Sequence, residues 1–335
     1  MGESLARRRN EFHSPVRASR SAPLLLGAIL LCAPLLASIA IAEESPVWKF
    51  DFWDVFYDIA FLDDQTAVIV GAQGRILVSH EKYKNLWSPR GFGARALLTC
   101  VSFVDEKRGW AAGQGGVIIH TEDGGQTWQV QRELSSDNQP VFDIQFLSPW
   151  VGYACGAYDT FLKTTDGGKT WTLTAPGNDY NYNDLAFLDE ETGYIVGEFA
   201  TVLRTTDGAK SWETLDIGEA YEGTFFGITL LSPQEILVCG IAGKIMRSED
   251  GGSHWMDVSA DHDKSLFRGA ADGEDVVLVG ASGTILVSTD RGKTFVKRLD
   301  PDFTSFAGVR VHPKGGFVCV GERGKIDHLQ VPGDS

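Results

Sequence analysis

The sequence predicts an all-β fold, a seven-bladed β-propeller closed into a ring by an N-terminal strand. Three observations predict it. A glycine-led turn recurs seven times at near-constant spacing. A box of the form Ser/Thr-x-Asp-Gly-Gly-x-Thr/Ser-Trp follows most of these turns. Apolar residues alternate in the segments that open each unit, and no stretch shows a convincing long helical period.

The turns begin at Gly71, Gly113, Gly156, Gly197, Gly240, Gly280 and Gly321, in steps of 42, 43, 41, 43, 40 and 41 residues. Units of that length fit a propeller blade of four short strands, labelled a to d. Strand a is expected at 55–61, 98–103, 141–146, 183–187, 225–230, 266–271 and 306–311. Strand b is the apolar run before the glycine, and strand c the run after it. The box turns c into d, and its aromatic residue starts d. The boxes place Asp123 with Trp128, Asp166 with Trp171, Asp207 with Trp212, Asp250 with Trp255, and Asp290 with Phe295. A worn copy runs from Ser79 to Trp87. The seventh unit has no box, and the segment Trp48–Phe52 reads as the strand d that completes its blade and removes an open sheet edge. One propeller domain over 43–335 follows, rather than the two domains that 335 residues would suggest.

The box reads as structural. Its aspartate can accept backbone N–H bonds across the turn, its glycines permit positive φ, and its tryptophan buries a large ring between sheets. Five copies of one aspartate also argue against a single catalytic site. A basic residue precedes four boxes: His120, Lys163, Arg204 and Arg247. They read as a pairing column within the sheets, with a ligand-binding patch as the other reading.

Residues 1–20 hold five arginines against two glutamates, and 21–42 carry no charge. With Ala40-Ile41-Ala42 this reads as a signal peptide over 1–42, cleaved after Ala42. An uncleaved anchor is the rival, because 22 uncharged residues could just span a bilayer. Cys32 follows Leu31, where a lipidation site wants a small residue. The formal net charge is −15, and cleavage would make it −18. Such a charge excludes a nucleic-acid binder and a polybasic lipid anchor. Cys100, Cys155, Cys239 and Cys319 lie in apolar runs without CxxC spacing and read as core residues. No motif calls for a cofactor or a metal, and no catalytic residue is assigned.

Strand order places the a–b and c–d turns on one side of the ring and the b–c turns and d–a loops on the other. The boxes occupy the first side, so the second is the expected working face. It receives Trp53, Phe56, Tyr57, Tyr180, Tyr182, Tyr221, Phe225 and Phe226, of which Phe56 and Phe226 are expected to pack inward. Tyr158, Tyr180 and Tyr182 are expected at the surface. Aromatic residues beside a funnel favour protein or sugar recognition. The partner-binding set is Tyr158, Asp159, Tyr180, Tyr182, Phe199 and Arg323.

Phrases such as FLKTTDGGKTW (161–171) and VLRTTDGAKSW (202–212), with an ETGY-type turn at 191–194, resemble the photosystem II stability/assembly factor family of Asp-box (BNR-repeat) propellers. The likeness runs from residue 48 to about 330. It implies a seven-bladed, exported, non-enzymatic factor on the lumenal or periplasmic side of a membrane. It also implies a membrane-protein client, with any peripheral membrane association made through that client, and a monomer. Relatives in non-photosynthetic bacteria carry the same family name. Photosynthetic members are associated with a basic patch that meets the client, whereas this chain is acidic. The competing reading is a glycoside hydrolase or glycan-binding propeller. A sialidase needs three converging arginines, and strand a supplies only Arg268 and Arg310. A two-carboxylate hydrolase would draw on Asp159, Glu198 and Glu322.

Overall fold

The computed structural model describes residues 53–79, 87–135, 138–218 and 221–331. The proposed signal peptide, the closing strand at 48–52 and most of the worn box lie outside these residues.

Seven antiparallel sheets follow one another along the chain. Blade 1 holds β1 (Phe56–Phe61), β2 (Ala67–Gly71), β3 (Ile76–Ser79) and β4 (Trp87–Arg90). Blade 2 holds β5 (Leu98–Phe103), β6 (Gly109–Gly113), β7 (Ile118–Thr121) and β8 (Gln129–Arg132). Blade 3 holds β9 (Val141–Phe146), β10 (Gly152–Gly156), β11 (Phe161–Thr164) and β12 (Thr172–Leu173). Blade 4 holds β13 (Tyr182–Phe187), β14 (Gly193–Gly197), β15 (Val202–Thr205) and β16 (Glu213–Thr214). Blade 5 holds β17 (Phe225–Leu230), β18 (Ile236–Gly240), β19 (Ile245–Ser248) and β20 (Met256–Asp257). Blade 6 holds β21 (Leu266–Asp272), β22 (Asp275–Gly280), β23 (Thr284–Ser288) and β24 (Val296–Leu299). Blade 7 holds β25 (Phe306–Val311), β26 (Phe317–Gly321) and β27 (Ile326–Leu329) among the described residues.

The strands differ in burial because they differ in depth. Strand b reads as a continuous apolar run and is buried along its whole length in blades 1 to 5 and 7, since sheets pack on both of its faces. Strand d lies at the outer rim, and its two or four residues are mostly exposed. The box aromatic stands one residue before strand d in blades 2 to 6, not at its start. Its ring turns into the junction with the preceding blade instead of joining the rim. Trp128 packs into the core between blades 1 and 2, Trp171 between 2 and 3, and Trp212 between 3 and 4. Trp255 and Phe295 do the same in the next two junctions.

Every blade junction has an apolar core of its own. The junction of blades 7 and 1 packs Val318 and Val320 against Phe56, Ile59, Ile69 and Leu77, so the ring closes on itself. All four described cysteines are buried and unbridged within these cores. Burial raises their thiol pKa values, which keeps them neutral.

Strand a carries one irregularity in all seven blades. The register with strand b slips between its first and third residues, as at Phe56/Asp58 and Tyr182/Asp184. This bulge sets the first residue into the junction core and brings the second and third to the central channel. It also decides the glycine that ends strand b. Those glycines have extended backbone, with φ of −167° at Gly71 and −170° at Gly321. They are needed for space: a Cβ on Gly156 would stand 2.0 Å from the Pro140 carbonyl oxygen. The residue after each glycine donates its N–H to that same carbonyl, as Ala157 does to Pro140 at 3.0 Å.

Candidate functional site

The b–c turns share one backbone form with two consecutive left-handed residues. Five blades place glycine second in this pair, as in Gln73-Gly74 and Arg323-Gly324. Blades 3 and 4 do not. Tyr158 and Asp159 have φ of 50° and 61°, and Phe199 and Ala200 have 53° and 54°. Two side-chain-bearing residues in this region hold strain that the surroundings must offset. The result is two aromatic tips, Tyr158 and Phe199, each 64% exposed.

The surroundings are specific. Asp159 accepts the Tyr182 hydroxyl at 2.5 Å and the Gly177 N–H at 2.8 Å. Its own N–H goes to the Tyr180 carbonyl at 2.7 Å. The Asn181 side-chain oxygen accepts the Tyr158 N–H at 3.0 Å, while its amide donates to Glu198, also at 3.0 Å. Glu198 takes the Asn181 N–H as well. Ala200 donates its N–H to Gly223 at 2.6 Å. Tyr180 and Phe199 pack with centroids 4.8 Å apart, which joins the loop after blade 3 to the turn of blade 4.

Five of the six expected partner residues therefore meet, Tyr158, Asp159, Tyr180, Tyr182 and Phe199, with Tyr182 joining through its hydroxyl alone. Tyr182 corrects the expectation of exposure. It is the first residue of β13, the bulge turns it into the junction core, and it is fully buried. Burial and the bond to Asp159 raise its pKa, so it remains a hydrogen-bond donor. Phe56 and Phe225 are buried for the same positional reason. Arg323 lies on the blade 7 turn, three blades from either aromatic tip, and is not part of this cluster. The hydrolase candidates Asp159 and Glu198 are both engaged in fastening turns.

The channel holds the two strand-a arginines, Arg268 and Arg310, together with aspartates that the sequence reading did not single out. The third residue of strand a is Asp58, Asp143 and Asp184 in blades 1, 3 and 4, and Arg268 in blade 6. Arg268 pairs with Asp143 at 3.0 Å and with Asp184, joining blade 6 to blades 3 and 4 across the channel. Arg310 pairs with Asp58 at 3.0 Å. Burial pushes Asp143 up to about 7, against the pull of Arg268 and with the repulsion of Asp184. Burial raises Asp58 as well, opposed by Arg310. The pairs separate a cavity of about 520 Å³ on the box side from one of about 330 Å³ on the opposite side. Tyr57, Phe142, Phe226 and Phe267 line the second cavity, with Phe226 and Phe267 edge to face at 5.7 Å. Phe226, expected to pack inward, is thus half-buried at the channel mouth. A polar third residue inside an otherwise apolar strand a was the available signal.

The boxes close on themselves. Asp166 accepts the Thr164 hydroxyl at 2.8 Å, the Thr170 N–H at 2.9 Å and the Thr170 hydroxyl at 2.6 Å. Those Thr170 bonds hold its pKa down to about 2. Ser211 and His254 do the same for Asp207 and Asp250. Asp290 also falls to about 2, its bonds to Thr294 and Ser288 overcoming burial, and Asp123 is lowered by Thr127 in the same way. Three of the basic residues before the boxes pair between blades, and two of them also pair within their own blade, Arg204 with Glu213 of β16 at 2.8 Å and Arg247 with Glu235 at 2.7 Å. Lys163, Arg204 and Arg247 donate to backbone carbonyls of the next box at 2.7, 3.2 and 3.0 Å. His120 stacks on Trp110 instead. Among the described residues, no group of three or more His, Cys, Asp or Glu is placed to hold a metal ion, and no helix is long and apolar enough to cross a membrane.

The model of the family "Photosynthesis system II assembly factor YCF48" matches residues 40–139 and 130–267. No curated protein sequence matches the chain. A solved structure of YCF48 bound to D1 peptide is similar with a TM-score of 0.70 and 19% identity, over 85% of this chain and 99% of that one. YCF48 from Cyanidioschyzon merolae gives 0.68 and 16%, over 85% and 99%. The WD40 propeller domain of Doa1 gives 0.67 and 13%, over 86% and 97%. A likeness shared with Doa1 speaks for the fold alone.

Proposed function

On the premise that the chain belongs to the photosynthesis system II assembly factor YCF48 family, we propose that it is an exported, non-enzymatic factor that binds a membrane-protein client during complex assembly. The observation that supports this reading is the pair of strained, fastened turns that present Tyr158 and Phe199 on the face opposite the boxes. A scaffold needs a shaped and rigid surface, and aromatic anchors held in place lower the entropy lost on binding. The similar YCF48 structure holds a D1 peptide, which makes a reaction-centre segment the first client to test. In this reading 1–42 is an export signal, the protein works as a monomer on the lumenal or periplasmic side, and Asp159 acts through the turn it fastens.

The test is a cross-linked pull-down of the tagged protein from envelopes of its host, with calorimetry against a synthetic D1 peptide. One membrane-protein complex should be recovered. Tyr158→Gly with Phe199→Gly should weaken peptide binding by about tenfold or more while keeping the turns. A protein that emerges alone and binds no D1 peptide would overturn the reading.

A further inference from the structure

We propose that the face of blades 3 and 4 takes up a cationic, apolar peptide segment, an arginine or lysine flanked by apolar side chains, with the cation set over the rings of Tyr158, Tyr180 and Phe199. The proposal rests on the client-binding reading above and adds the chemistry of what is bound.

Charge complementarity chooses the occupant. The b–c turns of blades 3 and 4 and the described parts of the loops after them contain Asp159, Asp179, Glu198, Asp216 and Glu222 and no lysine or arginine. Asp159 and Glu198 are bound into the turns beside the rings. Asp179, Asp216 and Glu222 are exposed. Aromatic faces attract a guanidinium or ammonium group electrostatically, and a surrounding field of carboxylates concentrates such groups. An acidic or purely apolar segment would lose this attraction, and an anionic bilayer would be repelled.

The fold already pairs a cation with a ring at the edge of this face, where Lys244 of the blade 5 turn lies over Tyr221 of the loop after blade 4 at 5.5 Å. Tyr158 and Phe199 are built the same way as ring platforms, and each stands 64% exposed. Their backbones are held left-handed by bonds from Asn181, Asp159 and Gly223, so the platforms are set before a ligand arrives.

A phage library of random 12-residue peptides selected on the full chain tests this. Selected peptides are then made with capped termini and measured by calorimetry in low and high salt. The expected result is enrichment of arginine or lysine beside apolar residues. Citrulline in place of the arginine should lower affinity at least tenfold. Tyr158→Gly with Phe199→Gly should abolish binding, since glycine keeps the left-handed turns and removes the rings. Asp179→Asn with Asp216→Asn and Glu222→Gln should weaken it severalfold and flatten its salt dependence. Three results would overturn the proposal: no enrichment, enrichment of acidic or uncharged peptides, or equal binding by the double glycine variant. Ring-dependent binding to phosphatidylcholine vesicles without peptide binding would replace it with a lipid surface. If the host complex still co-purifies with the double glycine variant, the client reading stands and the arc proposal fails.

Discussion

Tyr182 shows how one atom ties the buried strand to the exposed tip. Its ring fills the junction of blades 3 and 4, and its hydroxyl donates to Asp159 in the turn that carries Tyr158. Tyr182→Phe keeps the packing and removes that charge-assisted bond. Stability should fall by about 1–2 kcal/mol, read from urea unfolding, and amide exchange at 157–160 should quicken. Unchanged exchange would mean that Gly177 alone holds Asp159 in place. Of the three tyrosines expected at the surface, Tyr158 at its turn tip is exposed, Tyr180 is half-buried against Phe199 and Tyr182 is buried. Sequence reading missed the burial of Tyr182 because the bulge that turns this residue inward leaves no mark in an alternating pattern.

At the level of the element, the box is a turn that satisfies itself. The Thr164 hydroxyl donates to Asp166 and accepts the buried Gly168 N–H at 2.9 Å. Thr164→Val would leave that N–H unpaired and cost about 1–3 kcal/mol. The measurement is the denaturant midpoint followed by tryptophan emission, and an unchanged midpoint would deny the box a role in holding its blade. The carboxylates also set an acid limit. Asp166, Asp207, Asp250 and Asp290 have folded values of about 2, below the ordinary carboxylate range. Their contribution is complete above that range and is lost as pH falls through about 2. Acid unfolding should therefore be steep below about pH 4. The hydrogen bonds of the box aspartate were legible in the sequence because its partners lie within seven residues, whereas the packing of the box aromatic into the junction with the preceding blade was not.

Across the whole molecule, the channel charges join blades that are not neighbours. Arg268 holds Asp143 and Asp184 from the far side of the ring, and three carboxylates face two guanidinium groups. One excess negative charge in a buried site favours a retained proton, consistent with an Asp143 value of about 7. A raised carboxylate pKa means that the folded state holds a proton which the unfolded chain has released. Stability should thus decline as pH rises from about 4 towards 7. Asp143→Asn should flatten that decline, measured as urea midpoints at pH 5 and pH 8. A decline of the same slope in the variant would assign it to another group, with Asp58 the next candidate.

The amino-acid sequence by itself determined the number of blades, the place of the innermost strands, the boxes and the face that bears the aromatic turns. Each of these depends on residues within one repeat of about 42, so the local pattern carries the information. The tertiary structure alone decided what closure of the ring brings together. Asp143 and Arg268 are 125 residues apart and meet only when blades 3 and 6 face one axis. Arg323 and Tyr158 share a turn type and a face, yet three blades separate them. Lys163, Arg204 and Arg247 form one column in the sequence, and each also reaches a carbonyl of the next blade's box, a contact that only the ring supplies. Repetition makes such residues look equivalent, and only the position of each copy around the axis gives it a different neighbour.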